Sequence, residues 1–460
     1  MWFEVGNKIW AHDITQEFME YCEDNLVVDN PEYIKKIRMG LWLGKTPQHF
    51  TLYEKVGEDI VVPFGCIYDI YKRYCRECKF VSRIRPVGIV WYNSGINLYP
   101  YQQKAVQRCI EARNGVLVMP CGSGKTNCGL EIVSRLGVPT LWLTHTQDLL
   151  TQSMNRAKSV LNVPLSSYGT ITGGKVNIGT GLTFATVQTM SKLDLSQYKD
   201  VWGCIIVDEC HKAIGTPTRV MQFYKVLSQL SCRYKYGLTA TPKRADGMEK
   251  AMFALLGNVI FEVSRDEVAD TTCPVSVVTV ETGYSPDLNI ALCGDGTINY
   301  AGLVDDMTHD TKRFGVVSET IESLDGAVLV LGNRVEYLKN LSEKYSKRSI
   351  CLSAIGASKS AKKTRKEALK KLNDGDLDCV FATYQLAKEG LDVPNLRYVV
   401  LATPEKDETT VTQAAGRVAR KYDGKDMGYV IDFVDDFGML RGWYRKRQSI
   451  FSKKLNFILT

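Results

Sequence analysis

Met119-Pro-Cys-Gly-Ser-Gly-Lys-Thr126 follows the apolar run Gly115-Val-Leu-Val118 and leads into 127–136, a stretch of helical composition. Strand, glycine loop and helix in that order build a phosphate site. Gly122 and Gly124, with Ser123 between them, let backbone N–H groups converge on phosphate oxygens. The positive end of the following helix favours the anion. Lys125 is spaced to neutralise β- and γ-phosphates, and Thr126 to ligate Mg²⁺. The full pattern wants a further glycine at 119, where this chain has Met, so the match is to the shorter G-x-G-K-T form.

Downstream, the apolar run Cys204-Ile-Ile-Val207 ends in Asp208-Glu-Cys-His211. Two carboxylates then stand at the carboxyl end of a buried strand, where open α/β sheets bind ligands. Asp208 can hold Mg²⁺ through water, and Glu209 can orient or deprotonate an attacking water. In isolation an acidic turn after a core strand is the better reading of Asp-Glu; the phosphate loop upstream turns the balance to the catalytic one. The second half adds Gln413-Ala-Ala-Gly-Arg-Val-Ala-Arg420, whose Arg417 and Arg420 would share one face of a helix. Arginines that reach a γ-phosphate from a neighbouring lobe accelerate its transfer by roughly 10³–10⁵.

Apolar runs at 115–119, 140–144, 182–186, 204–207 and 235–239 alternate with helix-like stretches such as 220–230. The alternation recurs at 327–331, 350–353, 379–382, 398–402 and 429–432, so two lobes are expected, each a mostly parallel sheet covered on both faces. Cys273-Pro-Val and the glycine-marked 283–296 read as the link that lets the lobes move. Residues 1–93 differ in character: short β-like runs at 60–62 and 87–90, many aromatics, and a break at Asn93-Ser-Gly95. They read as a small α+β accessory domain.

The motif set resembles that of superfamily 2 (DECH-box) helicases and translocases, in the family's order from about residue 98 to 435. Tyr101-Gln102 resembles the adenine-reading Q element, Leu143–Leu150 motif Ia, and Phe184–Thr189 motif Ib. Leu238-Thr-Ala-Thr-Pro242 resembles motif III, Val328–Gly332 motif IV, Ala382-Thr383 through Gly390-Leu-Asp-Val-Pro394 motif V, and Gln413–Arg420 motif VI. Thr241-Pro-Lys-Arg-Ala-Asp-Gly247 is similar to the continuation found in XPB-like and phage UvsW-like DNA motors. Val61-Val-Pro-Phe-Gly65 resembles a lead-in of viral helicases of that branch, which usually carry Arg where this chain has Phe64.

The resemblance implies an α/β fold with two tandem RecA-like lobes, divided as 1–93 accessory, 94–270 lobe 1 and 271–460 lobe 2. It implies ATP and Mg²⁺ as ligands. Gln102, Gly390 and Asp392 join the phosphate-loop residues around the nucleotide, and Lys125, Glu209, Gln413, Arg417 and Arg420 act on the γ-phosphate. Thr146, Gln147, Thr186, Gln188 and Thr383 would contact a nucleic-acid backbone without reading bases. Thr239, Thr241 and His211 would couple the two events. The expected activity is an ATP-driven DNA motor acting on forked or branched duplexes; an RNA-directed motor and a non-translocating ATP-gated clamp are the alternatives.

The 460 residues carry 58 Lys+Arg against 51 Asp+Glu, a balance that permits polyanion binding without the excess of a coating protein. No apolar run approaches the ~20 residues of a membrane span, and no signal-like start is present, so a cytoplasmic protein without membrane partners, plausible as a monomer, is expected. Fourteen scattered cysteines read as free thiols, with Cys75-Arg-Glu-Cys78 the one metal-like spacing. Basic stretches interleave with aromatics at 33–38, 71–76 and 441–447. Each reads either as a solvated face or as a nucleic-acid surface.

Overall fold

Every residue of Cys204–Asp208 is buried, as in a strand covered on both faces. The structure, a computed structural model, describes residues 1–120, 122–211, 217–240, 242, 249–268, 271–294, 297–354, 359–388 and 393–460. They divide into two units, 1–120 with 124–264, and 121–123 with 265–460.

The first unit holds an α/β sheet ordered Lys175–Asn177, Tyr168–Thr172, Leu182–Thr186, Thr140–Thr144, Cys204–Asp208, Tyr234–Thr239, Asn114–Val118 and Val259–Glu262. All these pairings are parallel except the first. Asp208 pairs with Leu238, and Thr239 with Val118. The strands leading to the phosphate loop, the acidic pair and the Thr239 segment therefore end at one level. Helix Lys125–Leu136 stops at Gly137, left-handed at φ 60°. At Gly129 a Cβ would come within 2.6 Å of Trp142 and 2.8 Å of Leu238. That close seat on the sheet fixes where the helix N-terminus points.

A smaller sheet in the same unit runs Glu54–Val56, Asp59–Pro63, Lys8–His12, Trp2–Val5, Lys79–Ser82. Alternate residues of Trp2–Val5 and Lys8–His12 are buried, so one face covers helix Gln16–Leu26, with the Phe3 and Phe18 rings 5.4 Å apart. This part is joined tightly to its larger neighbour. A Cβ on Gly65 would lie 2.5 Å from the carbonyl oxygens of Phe253 and Ala254 and from the nitrogen of Gly257. Asn7 donates to the Ser228 carbonyl at 2.5 Å, and Tyr224 to Glu54 at 2.8 Å. Phe64 is buried, its ring 4.6 Å from the Lys235 ammonium. Lys235 is fully buried, donates to the Leu227 carbonyl (3.0 Å), and has its pKa pushed down by burial. Phe64 is thus a packing residue. Tyr74 is buried as well, whereas Tyr71 is exposed.

Residues 87–90, expected as a strand, form none. The segment instead crosses the larger sheet's unit: Val90 N–H donates to the Gly137 carbonyl (2.9 Å), and Val87 would meet a Cβ on Gly203 at 2.6 Å. Its apolar residues mark that path, not a ladder.

The second unit's sheet is parallel throughout its described pairings, in the order Ser349–Cys351, Cys379–Thr383, Val328–Gly332, Tyr398–Leu401, Gly428–Val434, Val275–Glu281, Ile458–Leu459. Residues 283–296, expected to link the lobes, instead lie within the second unit. Val275–Glu281 already belongs to this sheet, and the segment after it packs within the same unit. Thr282 and Arg313 both donate to Asp435 Oδ1, at 2.6 and 2.7 Å, and Tyr284 donates to Asp306 at 2.6 Å. Tyr284 is buried there while Ser285, Asp287 and Asn289 are exposed, so the polarity is that of a surface segment of this unit. In helix Gly438–Ser449, Arg447 is 1% exposed, pairs with Asp432 at 2.8 Å, and donates to the Glu405 and Phe433 carbonyls. The basic C-terminal segment is therefore anchored as a packing helix, with its other cations on the solvent side.

Candidate functional site

Gly122 and Gly124 both take φ 82°, a left-handed conformation that costs other residues roughly 1–2 kcal/mol. Gly124 caps the helix that begins at Lys125, whose first N–H groups have no intrahelical acceptor. The Lys125 side chain is 9% exposed and folds back, donating to the Met119 carbonyl at 3.4 Å. Thr126 follows in the first turn. Gln102 is buried beside them: its Oε1 accepts the Tyr99 N–H at 3.0 Å, capping helix Pro100–Ala112. Its amide nitrogen lies 2.5 Å from the place a Cβ on Gly124 would take. The structure thus brings the Q-element residue against the phosphate loop.

At the end of its strand, Asp208 is 6% exposed and accepts from the Ser153 hydroxyl at 3.1 Å. Burial and the neighbouring Glu209 push its pKa up to about 6, opposed by the Lys125 charge and the Ser153 bond. A buried carboxylate under that penalty, with a threonine hydroxyl in the adjacent helix turn, is a hard oxygen donor set of the kind Mg²⁺ takes. Glu209 has φ 51°, rare for a residue with a side chain. Its carboxylate lies 3.3 Å from His211 Nδ1, and the same nitrogen is 2.9 Å from Thr239 Oγ1. Acid, histidine and threonine form a chain that joins two neighbouring segments, the Asp208–His211 turn and the end of Tyr234–Thr239.

The nucleic-acid candidates are tied into local structure. Thr146 caps helix Gln147–Val160 by accepting the Leu149 N–H at 3.3 Å, and Gln147 accepts from the Thr172 hydroxyl. Gln188 donates to the His145 carbonyl at 2.8 Å, linking the Ia and Ib stretches, and Thr186 shares a 2.9 Å bond with Thr189. Thr383 accepts the Leu386 N–H at 3.3 Å in the second unit. Thr241, Gly390 and Asp392, like Cys121, lie outside the described residues.

Gln413 sits on helix Glu408–Ala415, but Arg417 and Arg420 do not share a helical face. The helix ends at Ala415, with Gly416 as its cap; 416–419 turn through i→i+3 bonds, and Arg420 forms an antiparallel bridge with Thr272. Cys273 N–H donates to the Ala419 carbonyl at 2.8 Å, so pairing with the chain before Val275–Glu281 takes over from the helix. Ser153 went unnoticed in the sequence. Its signal is position: it shares a buried stripe with Leu150 and Ala157, where a polar residue needs a partner. Cys75 is exposed and Cys78 half-buried, and among the described residues no His, Cys, Asp or Glu group is placed to hold a metal by itself. No described helix is long and apolar enough to cross a membrane.

Residues 95–244 match the family described as Type III restriction enzyme, res subunit, and 312–422 match the helicase conserved C-terminal domain. A protein of Acanthamoeba polyphaga mimivirus, named as an ATP-dependent RNA helicase, is 27% identical over 445 residues, 92% of this chain and 78% of its own. The DNA 3'-5' translocase XPB2 of Sulfurisphaera tokodaii is 27% identical over 364 residues, 71% of this chain and 80% of its own. In fold, the chain resembles the Hef helicase domain of Pyrococcus furiosus, with TM-score 0.50 and 16% identity over 76% of this chain and 97% of that one. With the two parallel-sheet units and the ordered motifs, these matches make the chain a superfamily 2 helicase, a nucleic-acid-dependent ATPase.

Proposed function

We propose that the protein is an ATP-driven DNA motor that remodels forked or branched duplexes by unwinding or branch migration. Residues 1–93 read the substrate, and the rest form the two-lobed motor. The observation that carries the nucleotide chemistry is the convergence of Gly124, Lys125 and Asp208 at one end of one sheet, where the Lys125 charge acts on the Asp208 carboxyl. Lys125 pairs with the β- and γ-phosphates, while Gln102 reads adenine beside Gly124. Thr126 and Asp208 would hold Mg²⁺, which supplies charge neutralisation at the phosphates. Glu209 orients and deprotonates the attacking water. Gln413, Arg417 and Arg420 are the further residues that act on the γ-phosphate.

The chain from Glu209 through His211 to Thr239 gives hydrolysis a route to the strand end after Thr239. Thr146, Gln147, Thr186, Gln188 and Thr383 serve the phosphodiester backbone through hydroxyl, amide and backbone groups, which makes binding sequence-independent and salt-sensitive. DNA as substrate is supported by the XPB-like relatives. An RNA-directed motor is the second reading, favoured by the name of the mimivirus relative that covers most of this chain.

The test is steady-state hydrolysis on single-stranded, duplex, forked and four-way-junction DNA, with matched RNA alongside. Strongest stimulation by branched DNA is expected. Preference for RNA would replace the proposal with the second reading.

A further inference from the structure

Helix Pro31–Arg38 and the loop after it project from the two-stranded ladder Val27–Asp29/His49–Thr51. The helix buries none of its residues. Ile37, Met39 and Leu41 are each at least half exposed, and Trp42 is 88% exposed. This is no frayed loop. Asn30, 1% exposed, caps the helix through the Glu32 N–H and donates to the Pro47 carbonyl at 2.7 Å. Lys36 donates to the Thr46 hydroxyl at 2.6 Å, and Leu41 N–H to the Lys36 carbonyl at 2.9 Å. Gly44, at φ 54°, leaves room for the Trp42 ring, which a Cβ there would meet at 3.0 Å.

Charge selects the occupant. Residues 33–48 hold four cations and no acid. Lys36 pairs with Glu32, while Lys35, Arg38 and Lys45 are exposed and make no ion pair among the described residues. Exposed apolar side chains and an exposed indole on one short segment, with unneutralised cations beside them in sequence, fit a ligand with a flat apolar face bordered by phosphates. The end of a base-paired stack is that ligand: an open base pair exposes a π-face, and two backbones flank it. A protein partner would need acidic residues around an apolar patch, a narrower requirement.

We propose that 37–45 is a junction-reading tip, on which Trp42 stacks against the base pair exposed where strands diverge, with Lys35, Arg38 and Lys45 on the adjoining phosphates. This rests on the reading of the protein as a nucleic-acid motor and names the part that distinguishes a fork from plain duplex. The tip has a rigid base and an exposed ring, so it needs no rearrangement to stack.

Fluorescence anisotropy without nucleotide, on a forked duplex and a closed-hairpin duplex of equal length, tests it. Trp42→Ala should weaken fork binding about 5- to 160-fold, the range for losing one aromatic–base stack, and bring the fork-to-duplex preference close to one. Trp42→Phe should restore most of it. The triple variant Lys35→Gln, Arg38→Gln, Lys45→Gln should lower the slope of log affinity against log salt by about 2–3, near 0.7–0.9 per phosphate contact. With 2-aminopurine at the branch point, wild type should quench its emission and Trp42→Ala should not. An unchanged fork-to-duplex ratio in Trp42→Ala overturns the proposal, as does a Trp42 variant that alters only the oligomeric state on size exclusion. Because binding is read without ATP, the two failures separate. Fork binding through Trp42 with no DNA-stimulated hydrolysis sinks the motor and leaves the tip; hydrolysis with Trp42 irrelevant does the reverse.

Discussion

Replacing Gly124 by Ala perturbs two features of the nucleotide site at once. The residue has φ 82° and ψ 32°, where a side chain costs roughly 1–2 kcal/mol. The new Cβ would also lie 2.5 Å from the Gln102 amide nitrogen, so that side chain must withdraw by about 1 Å to reach ordinary contact. Gln102 is not free to swing at no cost, because its other amide atom accepts the Tyr99 N–H at 3.0 Å. Losing that cap bond costs about 1 kcal/mol. Together the variant should be about 2–3 kcal/mol less stable by urea denaturation. Its ATP affinity, read with a fluorescent analogue, should fall at least about tenfold, since the helix N-terminus and the Q-element residue both move. Gln102→Ala removes the obstruction, so the double variant should be about 1 kcal/mol more stable than additivity allows. A Gly124→Ala protein within about 0.5 kcal/mol of wild type, with unchanged ATP affinity and no coupling to Gln102, would show that neither the left-handed backbone nor the Gln102 contact matters at this site.

Other outcomes follow from the same geometry. Glu209→Gln should bind ATP with near-normal affinity and hydrolyse it at least about 100-fold more slowly, in line with losing a general base; single-turnover hydrolysis at wild-type speed would remove Glu209 from that role. Thr239→Ala breaks the 2.9 Å bond to His211 and should leave most DNA-stimulated hydrolysis while reducing strand displacement several-fold, read by running both assays on one preparation. Lys425, buried and donating to the Arg420 carbonyl at 3.0 Å, has its pKa lowered from 10.5 to about 8, chiefly by burial. Between about pH 8 and 10.5 the unfolded chain keeps that proton and the native protein has lost it, so stability should rise with pH. The gain is up to about 3 kcal/mol. Urea denaturation from pH 7.5 to 10 should show the rise in wild type and a flatter profile in Lys425→Met; equal slopes would contradict it.

The sheets were legible because parallel strands covered on both faces read as plain apolar runs, as at Cys204–Asp208 and Val328–Gly332. The phosphate loop was legible because its glycines and lysine answer a chemical need that no core packing creates. Elsewhere one signal had two sources. Val87–Val90 carries strand-like composition, but its partners are glycine-made recesses at Gly137 and Gly203 supplied by distant chain. Residues 283–296 carry linker-like polarity, yet the Asp435–Arg313–Thr282 network beside them is buried, which polarity alone cannot reveal. Arg417 and Arg420 keep helical spacing after the helix has ended, because the bridge to Thr272 is a long-range pairing. Ser153 shows the converse: its one clue is a polar side chain in an apolar stripe, and the partner, Asp208, lies far along the chain.

An ATP-driven motor is best distinguished by strand displacement on a forked DNA, with enzyme limiting and ATP in excess, beside the Lys125→Ala protein. Wild type should separate many forks per enzyme molecule, and Lys125→Ala, its phosphates left without their ammonium, should separate none while still binding the fork. Displacement that stops at one fork per enzyme, or that continues in Lys125→Ala, would contradict an ATP-driven motor.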